Sequence, residues 1–175
     1  MRILVTGNLG YIGSVLSEIL QNKGYDVIGY DIGYFKDCLT SNYNPVSKQI
    51  NKDLRKLEKN EIENIDCIIH LASLSNDPLG AFIPELTEEI NYNATIRLAE
   101  IAKKNNVKRF IFASSQSIYG VSKADEELDE DSSVKDPITT YAITKWKAEK
   151  ELMNMADDNF TVCALRPSTV FGPSP

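Results

Sequence analysis

Short apolar runs alternate with amphipathic stretches along the whole chain. Arg2–Thr6, Asp26–Tyr30, Asp66–His70, Arg109–Ala113 and Phe160–Arg166 are too short for helices and rich in Ile, Val and Phe, which predicts strands. Lys48–Asn51 is a weaker strand candidate. Between these runs, apolar residues recur at helical spacing. In Tyr11–Lys23 they are Ile12, Val15, Leu16, Ile19 and Leu20; in Pro84–Asn105 they are Leu86, Ile90, Ala94, Leu98, Ile101 and Ala102. A further helix is predicted over Thr140–Ala156, where Ala142, Trp146, Glu149, Leu152, Met153 and Ala156 form a mostly apolar stripe, and a short one over Leu54–Asn60. Cys67-Ile-Ile and Phe110-Ile-Phe-Ala are apolar at successive positions, as strands buried on both faces require. The alternation predicts an α/β fold, a doubly wound parallel sheet of six strands in one domain over 1–175.

The first strand runs directly into Gly7, Gly10 and Gly13, and the first helix starts among them. Strand, glycine turn and helix N-terminus in that order form a dinucleotide pocket of the Rossmann type. Gly7 permits the tight turn, Gly10 lets backbone N–H groups approach a pyrophosphate, and Gly13 lets helix pack on strand. The free N–H groups and partial positive charge of the helix start suit an anion. The second strand leads to Asp31, 24 residues after Gly7. An acidic side chain near that distance binds the adenosine ribose hydroxyls. Its charge would repel a 2′-phosphate, Ile32 and Gly33 offer no cation, and Lys36 is the nearest base. NAD is therefore expected over NADP.

A second group of residues follows the later strands. Ser114-Ser115-Gln116-Ser117-Ile118-Tyr119-Gly120 comes after Arg109–Ala113, and the last predicted helix opens with Tyr141-Ala-Ile-Thr-Lys145. Residues four apart on a helix share a face. An ammonium beside a phenol stabilises the phenolate, so Lys145 is expected to lower the pKa of Tyr141 toward working pH. Tyr141 could then exchange a proton with an alcohol or carbonyl, with Ser115 bonded to the same oxygen. His70, the sole histidine, ends a strand and is read as structural. No metal-ligand spacing occurs.

Composition removes other classes. A net charge of −6 without a basic cluster argues against nucleic acid. The run Asp125–Asp131 is expected to be a solvated loop. No apolar stretch approaches membrane-span length, and the N-terminal run is too short for a signal peptide. Cys38, Cys67 and Cys163 form no redox pair; Cys67 and Cys163 lie in apolar strands and are expected to be reduced core residues of a cytosolic protein.

Together these marks resemble the extended short-chain dehydrogenase/reductase family, in its NAD-dependent epimerase/dehydratase branch acting on nucleotide sugars. The matching residues, in order, are Thr6-Gly-x-x-Gly-x-x-Gly13, Asp31, Asp53-Leu54, His70-Leu-Ala72, Asn91, Ser114-Ser115…Tyr119-Gly120, Tyr141…Lys145 and Arg166-Pro167…Gly172-Pro173. The resemblance implies that the backbone at Tyr11 and Ile12 meets the pyrophosphate, and that Asp31 binds ribose. It implies further that Asp53 and Leu54 flank adenine, that Leu71, Ala72, Ser73 and Asn91 line the cofactor's path, and that Lys145 holds the nicotinamide ribose. Tyr141 would be the acid/base and Ser115 its partner in a hydride transfer. A homodimer through Pro84–Asn105 and Thr140–Ala156 is also implied.

Three departures bear on the expected reaction. Gln116-Ser117 stand where 4,6-dehydratases place an Asp-Glu pair, which speaks against dehydration. Thr169 replaces an asparagine associated with substrate contact. The sequence stops at Pro175, where family members continue into a substrate-binding portion, so it is expected to be the N-terminal part of a larger enzyme. Substrate contacts are then expected from the loops Ser75–Phe82 and Val121–Pro137. The leading expectation is an NAD-dependent nucleotide-sugar epimerase. The alternatives are a non-catalytic NAD(H)-binding sensor or scaffold and a ketosugar reductase.

Overall fold

The computed structural model describes residues 1–38, 46–75, 77–121 and 127–175. Six parallel strands, β1 (Arg2–Thr6), β2 (Asp26–Asp31), β3 (Lys48–Asn51), β4 (Cys67–His70), β5 (Arg109–Ala113) and β6 (Thr161–Leu165), form one sheet in the order β3-β2-β1-β4-β5-β6. Strand order reverses between β1 and β4, which opens a crevice at their carboxyl ends where such sheets take ligands. The doubly wound fold expected from the alternation of elements is the one observed.

Alternate strand residues serve the two faces. Leu4, Ile28, Ile68, Phe110 and Val162 pack with Ala99, Ala102, Ala148 and Leu152 on one face, while Ile3, Val5, Val27 and Cys67 pack with Leu20 on the other. The first face is covered by α4 (Ala94–Lys104) and α5 (Thr140–Met155), and the second by α1 (Tyr11–Asn22). Burying these side chains supplies the main driving force of the fold, at roughly 25 cal/mol per Å² of apolar surface.

Cys163 corrects an expectation. It lies in register with Ile111 of β5 on the α1 face, but it is exposed, as are Thr161 and Leu165. The edge strand presents that face beyond the reach of α1, so an apolar run is not there a buried one. Cys67, on central β4, is buried as expected.

The helix expected over Pro84–Asn105 is three pieces: α3 (Pro84–Glu88), a π turn (Glu89–Asn93) and α4. The short helix expected over Leu54–Asn60 is two 3₁₀ turns, Leu54–Lys56 and Lys59–Ile62. A six-residue helix, α2 (Asp77–Phe82), was not anticipated, because its Pro and Gly obscure any apolar period. Of the acidic run, Asp125 and Glu126 lie outside the described residues, and 127–131 are exposed as expected. No helix among the described residues is long and apolar enough to cross a membrane.

His70 ties three elements together from a fully buried position. The Thr95 hydroxyl donates to the Asn91 carbonyl (2.9 Å), so its oxygen accepts from His70 Nε2 (2.8 Å). His70 Nδ1 then accepts from the Thr6 hydroxyl (2.6 Å). This chain fixes a neutral imidazole, and burial, aided by the charge of Lys145, pushes its pKa down to about 3. The structural role expected for His70 fits this arrangement. Because the folded value lies below the unfolded one of 6.5, the contribution of His70 is intact above pH 6.5 and lost as pH falls toward 3. Denaturant titrations are expected to show up to about 1.4 kcal/mol more stability lost per pH unit across that window than in a His70→Gln chain.

Candidate active site

The glycine turn joins β1 to α1 at the crevice. Gly7 has φ +72°, donates its N–H to the Tyr30 carbonyl (2.9 Å) and lies so close to the segment after β4 that a Cβ would stand 2.7 Å from the Ala72 nitrogen. A Cβ on Gly13 would stand 2.0 Å from the Gly7 carbonyl oxygen. Backbone therefore meets backbone on both sides of the turn, leaving a cradle that side chains would fill. The N-terminal turn of α1 opens onto it with no side chain capping Gly10. Tyr11 and Ile12 stand exposed on that turn, and the Tyr11 hydroxyl donates to the Gly172 carbonyl (2.5 Å).

Asp31 ends β2 beside the cradle. Its carboxylate accepts from Leu9 N–H (3.1 Å) and Gly33 N–H (2.8 Å), which locks the acidic group to the glycine turn. Below it, Asn8 is fully buried and donates to Gln49 (2.7 Å), an anchor that sequence reasoning missed because both residues look like ordinary loop polars. Asp53 is held by Arg55 (2.6 Å), which keeps its carboxyl below the usual range, and Leu54 is buried in the core. Leu71 and Ala72 donate their N–H groups to Thr6, placing the Leu71–Ser73 segment against the turn. Asn91 reaches the site indirectly. Its buried amide accepts from Leu74 N–H (2.8 Å) and donates to the Leu74 carbonyl (3.0 Å), so the π turn clamps the segment after β4.

Such a set fits a dinucleotide. The cradle of free N–H groups suits a pyrophosphate, and an acceptor-only carboxylate suits a ribose diol. Of the residues expected from the sequence, the glycines, Tyr11, Ile12, Asp31 and Leu71–Ser73 gather at this end of the sheet, whereas Leu54 is buried in the core and Asn91 acts through the Leu74 backbone.

Ser115, Tyr141 and Lys145 meet at the carboxyl end of β5. Thr139 caps α5, accepting from Ala142 N–H (3.1 Å), which fixes the first turn that carries Tyr141. Ser115 caps the 3₁₀ turn Gln116–Tyr119, accepting from Ser117 N–H (3.1 Å). Lys145, 2 % exposed, donates to the Ala113 carbonyl (2.8 Å) and lies 5.8 Å from the centre of the Tyr141 ring.

The electrostatics correct one expectation. The Tyr141 phenol is raised, not lowered: burial raises it most, the Ser115 hydroxyl pulls it down, and the charge of Asp77 pushes it further up. Lys145 exerts no such pull because burial has pushed its own pKa down to about 7, so at neutral pH it is only partly charged. Its ammonium also points to the Ala113 carbonyl.

The sequence profile described as NAD dependent epimerase/dehydratase family matches residues 3–175. The chain belongs to this family. Among curated relatives, a UDP-glucose 4-epimerase of Bacillus subtilis (strain 168) is 30% identical over 188 residues, covering 100% of this chain and 54% of that protein. A dTDP-D-glucose 4,6-dehydratase of Mus musculus is 30% identical over 187 residues, covering 98% and 51%. Among solved structures, MoeE5 in complex with UDP-glucose and NAD shares 34% identity at a TM-score of 0.83, covering 99% of this chain and 56% of that one. A UDP-N-acetylglucosamine 4-epimerase from Methanobrevibacter ruminantium M1 superposes at a TM-score of 0.87 with 29% identity, covering 99% and 56%. The epimerase/dehydratase chain described here thus spans about half the length of the relatives it matches.

A cleft opens beside the start of α5, and sequence reasoning singles out its loops but not the helix that carries Asp77. Asp77, Gln116, Ser117, Tyr119, Thr139 and Arg166 all line the cleft, Asp77 from the unanticipated α2. The loops expected to touch substrate border this cleft, although Asn76 and residues 122–126 lie outside the described residues.

Two substitutions test this geometry. Gly13→Ala must force α1 off β1 and is expected to cost at least about 1–3 kcal/mol, read from the denaturant midpoint. The Lys145 pKa lies below its unfolded value of 10.5, so its contribution to stability is present above pH 10.5 and lost as pH falls toward 7. Lys145→Met at pH 7 is therefore expected to leave the unfolding midpoint unchanged or higher.

Proposed function

We propose that the chain is the cofactor-holding and proton-transferring portion of an NAD-dependent nucleotide-sugar epimerase. The observation that carries this reading is the meeting of Ser115, Tyr141 and Lys145 at the end of β5, one strand away from the crevice that holds the glycine cradle. The relatives named as UDP-glucose epimerases, and the neighbour complexes holding NAD or nucleotide sugars, support the substrate class.

NAD bound in the cradle would supply a reversible hydride acceptor. The backbone at Tyr11 and Ile12 would hold its pyrophosphate in the cradle that Gly7, Gly10 and Gly13 shape, and Asp31 its adenosine ribose. Asp53 and Leu54 would lie at the adenine end, and Leu71–Ser73, positioned by Asn91, would line the path toward β5. The acidic Asp31 favours NAD over a phosphorylated cofactor, which is why epimerisation is preferred to a reductase reading.

The chain's own groups manage the proton. Tyr141 takes it from the sugar hydroxyl being oxidised and returns it to the carbonyl. Ser115 bonds the same oxygen and offsets part of the penalty that burial places on the phenolate. Lys145, balanced near neutrality by burial, gains charge when a polar ligand replaces the water that folding removed, and a ribose hydroxyl would be such a partner. A homodimer through the stretches 84–105 and 140–156 would complete the assembly; Ile143 and Met153 leave apolar surface on α5.

In assays of UDP-, GDP- and dTDP-sugar interconversion by the enzyme carrying its downstream portion, Tyr141→Phe is expected to lower turnover by roughly a hundredfold or more while NAD binding persists. Near-full turnover in that variant would contradict the acid/base role.

A further inference from the structure

The cleft beside Tyr141 has a volume of about 470 Å³ and is open to solvent. Two carboxylate residues line it, Asp77 and Glu130, together with the neutral polar groups of Gln116, Ser117 and Thr139. Arg166 is the one basic residue among the described lining residues, and its guanidinium is already engaged. Its Nη2 donates to Glu149 (2.6 Å), and its Nη1 donates to the Tyr119 hydroxyl (2.6 Å) and the Glu130 carbonyl (3.0 Å). Glu149 is itself buried, so the pair is neutral and tied into α5. Lys135, nearby over the Tyr119 ring, is spent on the carbonyls of Glu130 and Asp131. The described wall is therefore electronegative and offers no free cation.

Asp77 lines the cleft on the side where α2 packs against the start of α5. It opens α2, whose Gly80 packs against the start of α5: a Cβ on Gly80 would lie 3.7 Å from the Tyr141 nitrogen. Asp77 is exposed to the cleft, and its charge reaches the Tyr141 phenol. A pyranose with one hydroxyl at Tyr141 would present its neighbouring substituents to this carboxylate.

We propose that Asp77 is a specificity-determining residue: its carboxylate accepts hydrogen bonds from sugar hydroxyls beside Tyr141 and repels a sugar that carries its own carboxylate, so that the cleft selects neutral hexoses over hexuronates. The proposal rests on the nucleotide-sugar reading above. Discrimination of this kind needs a repulsive element as well as an attractive one, and an acceptor-only group supplies both. It also bears on the neighbour MoeE5, which has been solved with UDP-glucose and with UDP-glucuronic acid.

The test is saturation-transfer NMR on the NAD-loaded chain, with UDP-glucose and UDP-glucuronate as competing probes, for the wild type and Asp77→Asn. The wild type is expected to favour UDP-glucose by roughly two- to fivefold, the range for an exposed charge pair, and the substitution to bring the ratio close to unity. A ratio that Asp77→Asn leaves unchanged, or a wild-type preference for the uronate, overturns the role of Asp77 while leaving the nucleotide-sugar reading in place. Binding of neither probe overturns both. A second readout is the Tyr141 phenol titration followed by carbon-13 tyrosine NMR. Asp77→Asn is expected to lower its midpoint; an unmoved midpoint means that the carboxylate does not face Tyr141, and the proposal falls.

Discussion

The seat of α1 on β1 is the contact on which the rest of the site depends. Gly7 and Gly13 let three backbone segments meet with no side chain between them, so that a single added carbon at Gly13 would come within 2.0 Å of the Gly7 carbonyl oxygen. That approach sets where the helix N-terminus lies, and it brings the segment after β4 to the same point. Close packing then propagates outward. The buried Asn8 beneath the turn needs Gly29 on β2, where a Cβ would stand 2.4 Å from the Asn8 amide nitrogen. The ends of β1, β2 and β4 are thereby spaced by backbone contact, and Asp31 and Leu71–Ser73 inherit their positions from it.

Around this rigid turn the fold buries polar groups at a cost to stability. Lys145 is nearly sealed from solvent, and its depressed pKa records the penalty of holding an ammonium there. His70 avoids a similar penalty by staying neutral between two threonines. Glu149 and Arg166 neutralise each other, and such buried pairs specify geometry more than they add stability. A core built for stability alone would carry apolar side chains at these positions. Their presence at one end of the sheet marks where the chain is organised around a ligand.

Elements dominated by burial on both sides were legible in the sequence. The apolar runs at Ile3–Val5, Cys67–Ile69 and Phe110–Ala113 became central strands, and the Gly7–Gly13 spacing located the cradle. Legibility failed where tertiary context decides. Cys163 carries the same apolar signal as Cys67, yet the edge position of β6 exposes it. α2 has too few residues for a period to appear. The π turn at Glu89–Asn93 carries Asn91, whose amide bonds the Leu74 backbone, a tertiary contact that no helical spacing reveals. The i, i+4 relation of Tyr141 and Lys145 was right in geometry but wrong in the expected electrostatic effect, because spacing says nothing about desolvation.

The central claim is that the glycine cradle and Asp31 together hold NAD. Calorimetry of the chain with NAD and with NADP tests it most directly. Saturable binding of NAD, with NADP weaker by at least about tenfold from the charge opposition at Asp31, is the predicted result. Tighter binding of NADP, or no binding of either dinucleotide, would contradict it.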